Sequence, residues 1–173
     1  NSLPDTTTQV GIVTFDRGAN TYELLQDLTT NKTDLIAAVN ALTAPGGYTA
    51  IGDGINAATA ELTSARAIAE HAKMQVVLSD GYNNYGANPV TAATNAAANG
   101  ITVHTVGVPG HNTTQMAAIA AAGNGVYTNV TDLSDLVDLF EGTGGNLVGL
   151  DHVDIILPNG TTIASIATDG LGN

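Results

Sequence analysis

The sequence is most informative first in what it lacks. Its 173 residues include no cysteine and no tryptophan. Disulfides and thiolate metal sites are therefore excluded, and cysteine usage says nothing about the redox compartment. Basic residues are almost absent: 4 Lys and Arg stand against 16 Asp and Glu, a formal charge of -12. A nucleic-acid backbone or an anionic membrane surface would be repelled, and divalent cations attracted. Most of that acidity is read as ordinary solubility. No apolar run approaches the roughly 20 residues of a membrane-spanning helix, so membrane insertion is not expected. Residues 1–20 carry no leader pattern, and a start at Asn1 points to an upstream piece outside this sequence. The bias toward Ala, Gly, Thr and Asn suits an exported bacterial surface protein. Sequons at Asn31, Asn112, Asn129 and Asn159 reflect that bias rather than glycosylation.

What is present is a rhythm. A chain of this length buries about 70% of its extended surface and needs no staples to form a core. Gln9–Phe15 is a β-branched run that reads as a buried strand, and Tyr22–Leu25 as a short edge strand. Thr33–Leu42 places Leu35, Ile36, Val39 and Leu42 at helical spacing, with Asn31 or Thr33 as N-cap. A second helix runs from about Ala50 into the mid-60s, with Ile51, Ile55, Ala58 and Leu62 on one face; residues 64–73 either continue it or turn. Gln75–Leu78 is a strand. Asn88-Pro89 opens a helix that closes at Asn99-Gly100. Ile101–Val106 is a strand, Thr113–Ala122 a helix, Val126–Asn129 a strand and Asp132–Glu141 a helix. This alternation predicts a doubly wound, mostly parallel α/β sheet with helices on both faces. Val153–Leu157 and Thr161–Ile166, around Pro158-Asn159-Gly160, read as a β-hairpin. The expected division is a first domain over 1–149 and the start of a β-rich module over 150–173.

In such folds, sites form beyond the carboxyl ends of the strands. Two segments qualify: GGYTAIGDG (46–54), leading into a helix, and SDGYNN (79–84), leaving a strand. Thr49 offers a hydroxyl and Asp80 a carboxylate, the hard oxygen ligands that Mg²⁺, Ca²⁺ or Mn²⁺ takes. Read alone, Asp80 is equally a turn residue and Thr49 an N-cap for the helix at Ala50. Asp53 reads as a structural acid in the first helical turn. Gly47, Tyr48, Tyr82, Asn83 and Asn84 share the rim as candidate ligand contacts. His71, His104, His111 and His152 show no ligand spacing, and His104 reads as packed within its strand. No nucleophile–base pair and no phosphate loop is visible, so an enzyme is not expected.

GGYTAIGDGINAA, followed by VVLSDGYNN, resembles the von Willebrand factor type A domain. QVGIVTFD, ITVHTVGV and IAAAGNGVYTNVTDLSDLVDLF resemble its other strands and its last helix, so the likeness spans residues 9 to about 145. The resemblance implies a metal-ion-dependent adhesion site in which Thr49 and Asp80 help hold a divalent cation. It also implies a D-x-S-x-S loop ending a first, central strand, and this sequence has no such segment. The expected fold therefore lacks that strand, which would lie between Gln9–Phe15 and Gln75–Leu78, and most of the first helix. Two ligands do not enclose a cation that wants about six oxygens, so this chain alone is expected to bind Mg²⁺ weakly or not at all. The implied role is adhesion on a cell-surface or secreted protein, an acidic group of a protein or glycan partner completing the metal shell. The alternatives are a structural module without metal and an intracellular chelatase-like accessory subunit.

Overall fold

The computed structural model describes residues 8–16, 22–42 and 47–132, together with the strand backbones at 152–156 and 162–167. These residues fall into two units, one within 3–130 and one within 131–173. The first unit holds strands β1 (Val10–Phe15), β2 (Tyr22–Thr29), β3 (Lys73–Ser79), β4 (Ile101–Gly107) and β5 (Asn124–Asn129), with helices α1 (Lys32–Asn40), α2 (Ile51–Leu62), α3 (Pro89–Ala98) and α4 (Thr113–Ala122). The second unit holds β6 (His152–Ile156) and β7 (Thr162–Ala167), paired antiparallel as the hairpin reading expects. The turn at 158–160, the predicted helix at 132–141 beyond its first residue and the predicted boundary at 149 all lie outside the described residues.

Helix boundaries follow local chemistry. Asn31, Asn88 and Asn112 each hold extended backbone ahead of a helix, and each side chain accepts from an amide of the first turn. Such a cap stabilises by about 1 kcal/mol. Pro89 begins α3 where its missing N–H costs nothing, and Gly100 leaves that helix at φ +72°, a backbone that a Cβ would strain.

The sheet is parallel where β3, β4 and β5 pair, in that order. Register places Gln75 beside Val103 and Val77 beside Thr105, so these side chains share one face. Helices α2, α3 and α4 cover that face through Ile51, Ile55, Ala92, Ala93, Ala96, Met116 and Ile119, which with Val77, Ile101 and Val103 form the core. On the opposite face His104 and Val106 are buried, whereas Val76 and Leu78 of β3 are 38% and 43% exposed.

β1 and β2 form a separate antiparallel pair. Among the described strands β1 pairs only with β2, and β3 only with β4, so the two strands that the family order would place on either side of a central strand do not pair with each other. β2 runs to Thr29, four residues beyond the expected edge strand. α1 also departs from its expected orientation: Ala38 is its buried residue, while Ile36, Val39 and Leu42 are 61%, 51% and 46% exposed. The apolar stripe exists, but no described element covers it.

α2 joins the two sheets. A Cβ at Gly54 would stand 2.8 Å from Phe15 Cδ1 in β1, so only glycine lets helix and strand approach this closely. At the other end Glu61 is buried and accepts from the Leu28 amide of β2 (2.9 Å) and from Arg66 Nε (2.8 Å). Hydrogen bonding to Arg66 holds its carboxyl below the usual carboxylate range; burial opposes this and the Leu28 amide assists it. Toward β3, Gln75 Nε2 donates to Thr59 Oγ1 at 2.9 Å and to the Ile55 carbonyl at 3.3 Å.

Candidate functional site at the carboxyl edge of the sheet

Two loops meet at the carboxyl ends of the strands. One precedes α2 and carries Gly47, Tyr48 and Thr49. The other follows β3 and carries Asp80, Gly81, Tyr82, Asn83 and Asn84. They are fastened by a reciprocal pair of bonds: Asn84 N–H donates to the Thr49 carbonyl at 3.0 Å, and Thr49 N–H donates to Asn84 Oδ1 at 2.9 Å. Thr49 is thereby aimed at the neighbour of Asp80, since a Cβ on Gly81 would lie 2.9 Å from Thr49 Oγ1. The Thr49 hydroxyl therefore lies beside Gly81, the residue that follows Asp80 in the same loop. Thr49 is half-buried and Asp80 exposed.

Asp80 is supported from below. Gly81 N–H donates to Ser79 Oγ at 3.1 Å, and Val108 N–H to the Ser79 carbonyl at 3.1 Å. A Cβ on Gly110 would stand 3.1 Å from the Asp80 carbonyl, so the loop after β4 lies against this one. That loop is fixed by His111, whose Nδ1 meets the Val108 carbonyl at 2.8 Å and whose Nε2 meets Tyr127 Oη at 2.6 Å. With the carbonyl accepting, Nδ1 carries a proton, and the second ring nitrogen and the phenol share the other bond.

The helix start differs from the sequence reading. Thr49 is not the N-cap: Ala50 is, and it supplies no side-chain bond. A residue distant in sequence supplies part of what is missing, because Asn83 Oδ1 accepts from Gly52 N–H at 3.2 Å. Asn83 also donates from Nδ2 to the Ala87 carbonyl at 3.4 Å. Its side chain thus braces α2 against the loop, and it shares the rim without being its most accessible member. Asp53 is structural, as expected: its Oδ1 accepts from Ala87 N–H at 2.9 Å. Gly52 has no room for a side chain, since a Cβ would run into the Ala87 carbonyl.

The remaining candidate contacts sit in the same two loops. Gly47 is exposed at φ +122°, a backbone that favours glycine. Tyr48 and Tyr82 are 45% and 57% exposed. Tyr85, which sequence reasoning missed, is 41% exposed, with its ring 5.8 Å from that of Tyr48. The repeated tyrosine in YNNY was its one visible signal. Gln115, also missed, reaches from α4 to accept from Asn83 N–H at 2.7 Å.

As a cation site, this arrangement offers one hydroxyl and one carboxylate. No cluster of three or more His, Asp or Glu side chains able to hold a metal is found among the described residues. The donors are of the right kind for a hard divalent cation, but they form two corners and not an enclosure.

Known proteins agree with this architecture. The chain is similar to the conserved hypothetical protein BatB of Bacteroides thetaiotaomicron, at 22% identity and a TM-score of 0.64 over 76% of this chain and 75% of that one. It is similar to a von Willebrand factor type A structure from Catenulispora acidiphila, at 19% identity and a TM-score of 0.68 over 84% of this chain and 35% of that one. It is also similar to proximal thread matrix protein 1 of the mussel byssus with a zinc-occupied MIDAS motif, at 25% identity and a TM-score of 0.67. There 81% of this chain is covered, and it spans 36% of the byssus protein. No relative is found among curated proteins. The sequence profile of the von Willebrand factor type A domain matches residues 1–142. Match and fold together place this chain in the von Willebrand factor type A domain family.

Proposed function

We propose that this chain is an adhesive binding domain of a cell-surface or secreted protein, and that it is not an enzyme. Thr49 and Asp80 contribute two ligands of a divalent-cation site. Ligands beyond the described residues and an acidic group of a protein or glycan partner complete the coordination. Mg²⁺ is the expected ion, with Ca²⁺ or Mn²⁺ as substitutes. The observation that carries this reading is the reciprocal Thr49–Asn84 bond pair, which aims the threonine hydroxyl at the residue next to Asp80. A loop fastened so that a hard oxygen faces the strand-end loop carrying a carboxylate is a feature that suits a ligand site. The similar byssus matrix protein, with zinc in its MIDAS motif, supports it. A surface location agrees with the chain's acidity and with that relative's matrix setting. No helix among the described residues is long and apolar enough to cross a membrane.

The test is retention of chain-coated beads on immobilised, unglycosylated acidic proteins, in Mn²⁺ and in EDTA. The proposal predicts retention that EDTA abolishes and that Asp80→Asn reduces about tenfold, the loss of one charged ligand being worth about 1.4 kcal/mol or more. Retention indifferent to both would contradict it.

A further inference from the structure

Beside the loops that carry Thr49 and Asp80, the loop after β3 and the start of α4 border a shallow, open depression of about 600 Å³, lined by Tyr82, Tyr85, Asn84, Asn88 and Gln115 among others. We propose that this depression binds a neutral glycan directly, without a metal, as a contact separate from the cation site.

Three amides carry the inference. Asn84 Oδ1 accepts from Thr49 N–H at 2.9 Å, Asn88 Oδ1 from Thr91 N–H at 3.0 Å, and Gln115 Oε1 from Asn83 N–H at 2.7 Å. Each carbonyl end is held by a backbone donor, which leaves no freedom in assigning oxygen and nitrogen. Each amino group is therefore the end left over, and none of the three donates a hydrogen bond to another described residue. Fixed donors of this kind have already lost their rotamer freedom before a ligand arrives. Tyr82 and Tyr85, 57% and 41% exposed, add ring surface to the same depression.

A pyranose matches this combination. One face of its ring is a patch of C–H groups that stacks on a tyrosine, and its rim carries hydroxyl oxygens that accept from amide N–H groups. A protein partner fits less well, because the centre of a protein interface takes an apolar anchor into an apolar pocket. No Leu, Ile, Val, Met or Phe lines this depression. An acidic sugar fits less well too. No basic residue lines the depression, the Asp53 carboxylate packs beneath Gly86, and the whole chain carries a formal charge of -12.

The experiment is affinity electrophoresis of the chain through gels holding dextran, a mixed-linkage β-glucan or a galactomannan, with polygalacturonate as the acidic comparison, all in EDTA. At least one neutral polymer is expected to retard the chain, and polygalacturonate is not. Tyr82→Ala is expected to weaken retardation at least tenfold. Asn88→Asp should do so as well, since aspartate keeps the α3 cap but removes the amide donors. Because EDTA is present throughout, this result is independent of the cation reading. Retardation by no neutral polymer in EDTA, or retardation unchanged in both variants, would overturn the proposal. So would Tyr82-dependent binding to unglycosylated protein surfaces alone.

Discussion

The two sheets of the first unit differ in how much of themselves they bury. In β4, six of seven residues are buried, and their neighbours on α2, α3 and α4 form the core. In β1 and β2 no residue is fully buried. Both sheets lean on α2, but with different means. The three-stranded sheet uses interdigitated aliphatic side chains. The two-stranded sheet uses one close approach, Gly54 on Phe15, and one polar knot, Glu61 with Leu28 and Arg66. Apolar packing is collective, whereas a knot fails when one member is removed. The unit should therefore open locally at β1, β2 and α1 before it unfolds globally.

The strongest way to break this comparison is through the core. Ile119→Ala, at a site with 0% exposure, should cost about 2–5 kcal/mol. Val13→Ala in half-buried β1 should cost well under that, and denaturant melts of both variants give the ratio. Next in size is Gly54→Ala. Its methyl group meets Phe15, and overpacking of this kind costs about 1–3 kcal/mol. Hydrogen exchange should show β1 and β2 losing protection while β4 keeps it.

Acid separates the sheets more gently. The Glu61 carboxyl lies below its ordinary value, so its contribution is fully present above the unfolded carboxylate range. It is lost as pH falls through the lower folded value. That loss should appear as exchange in β2. His104 is different: burial pushes its imidazole down, and Nδ1 accepts from Val126 N–H at 3.2 Å, which requires that nitrogen to be unprotonated. Protons then bind the unfolded chain more readily, so stability should decline as pH drops below about 6.5 and level off under the folded value. His104→Gln should flatten that part of the pH–stability profile. The smallest effect is expected on the exposed stripe: Ile36→Ser, at 61% exposure, should change stability by about 0.5 kcal/mol or less.

The contrast also marks what could be read from sequence. α3 and α4 were legible to within a residue or so, because Asn-Pro, Asn112 and the closing glycines are local signals. β2 was under-read, since Gln26 and Asp27 interrupt an alternation that its pairing with β1 tolerates. α1 showed its stripe correctly, but periodicity reveals a face and not whether anything covers it. At the candidate site, the two loops that carry Thr49 and Asp80 are legible from their glycines and their order. The bonds that join those loops were not: Asn84 to Thr49, Asn83 to Gly52 and Gln115 to Asn83 link residues 31 to 35 positions apart. No local pattern encodes such a contact. Taken alone, a threonine before a helix suggests a cap, but the distant Asn83 acts at that helix start instead.

Whether the rim holds a cation at two corners can be measured directly by titrating Mn²⁺ into the isotope-labelled chain and recording amide line broadening. The account predicts broadening centred on Thr49 and residues 80–82, at millimolar rather than micromolar Mn²⁺, and its loss from that rim in Asp80→Asn. Broadening spread over the acidic surface with no focus there, or micromolar saturation pointing to a closed shell, would contradict it.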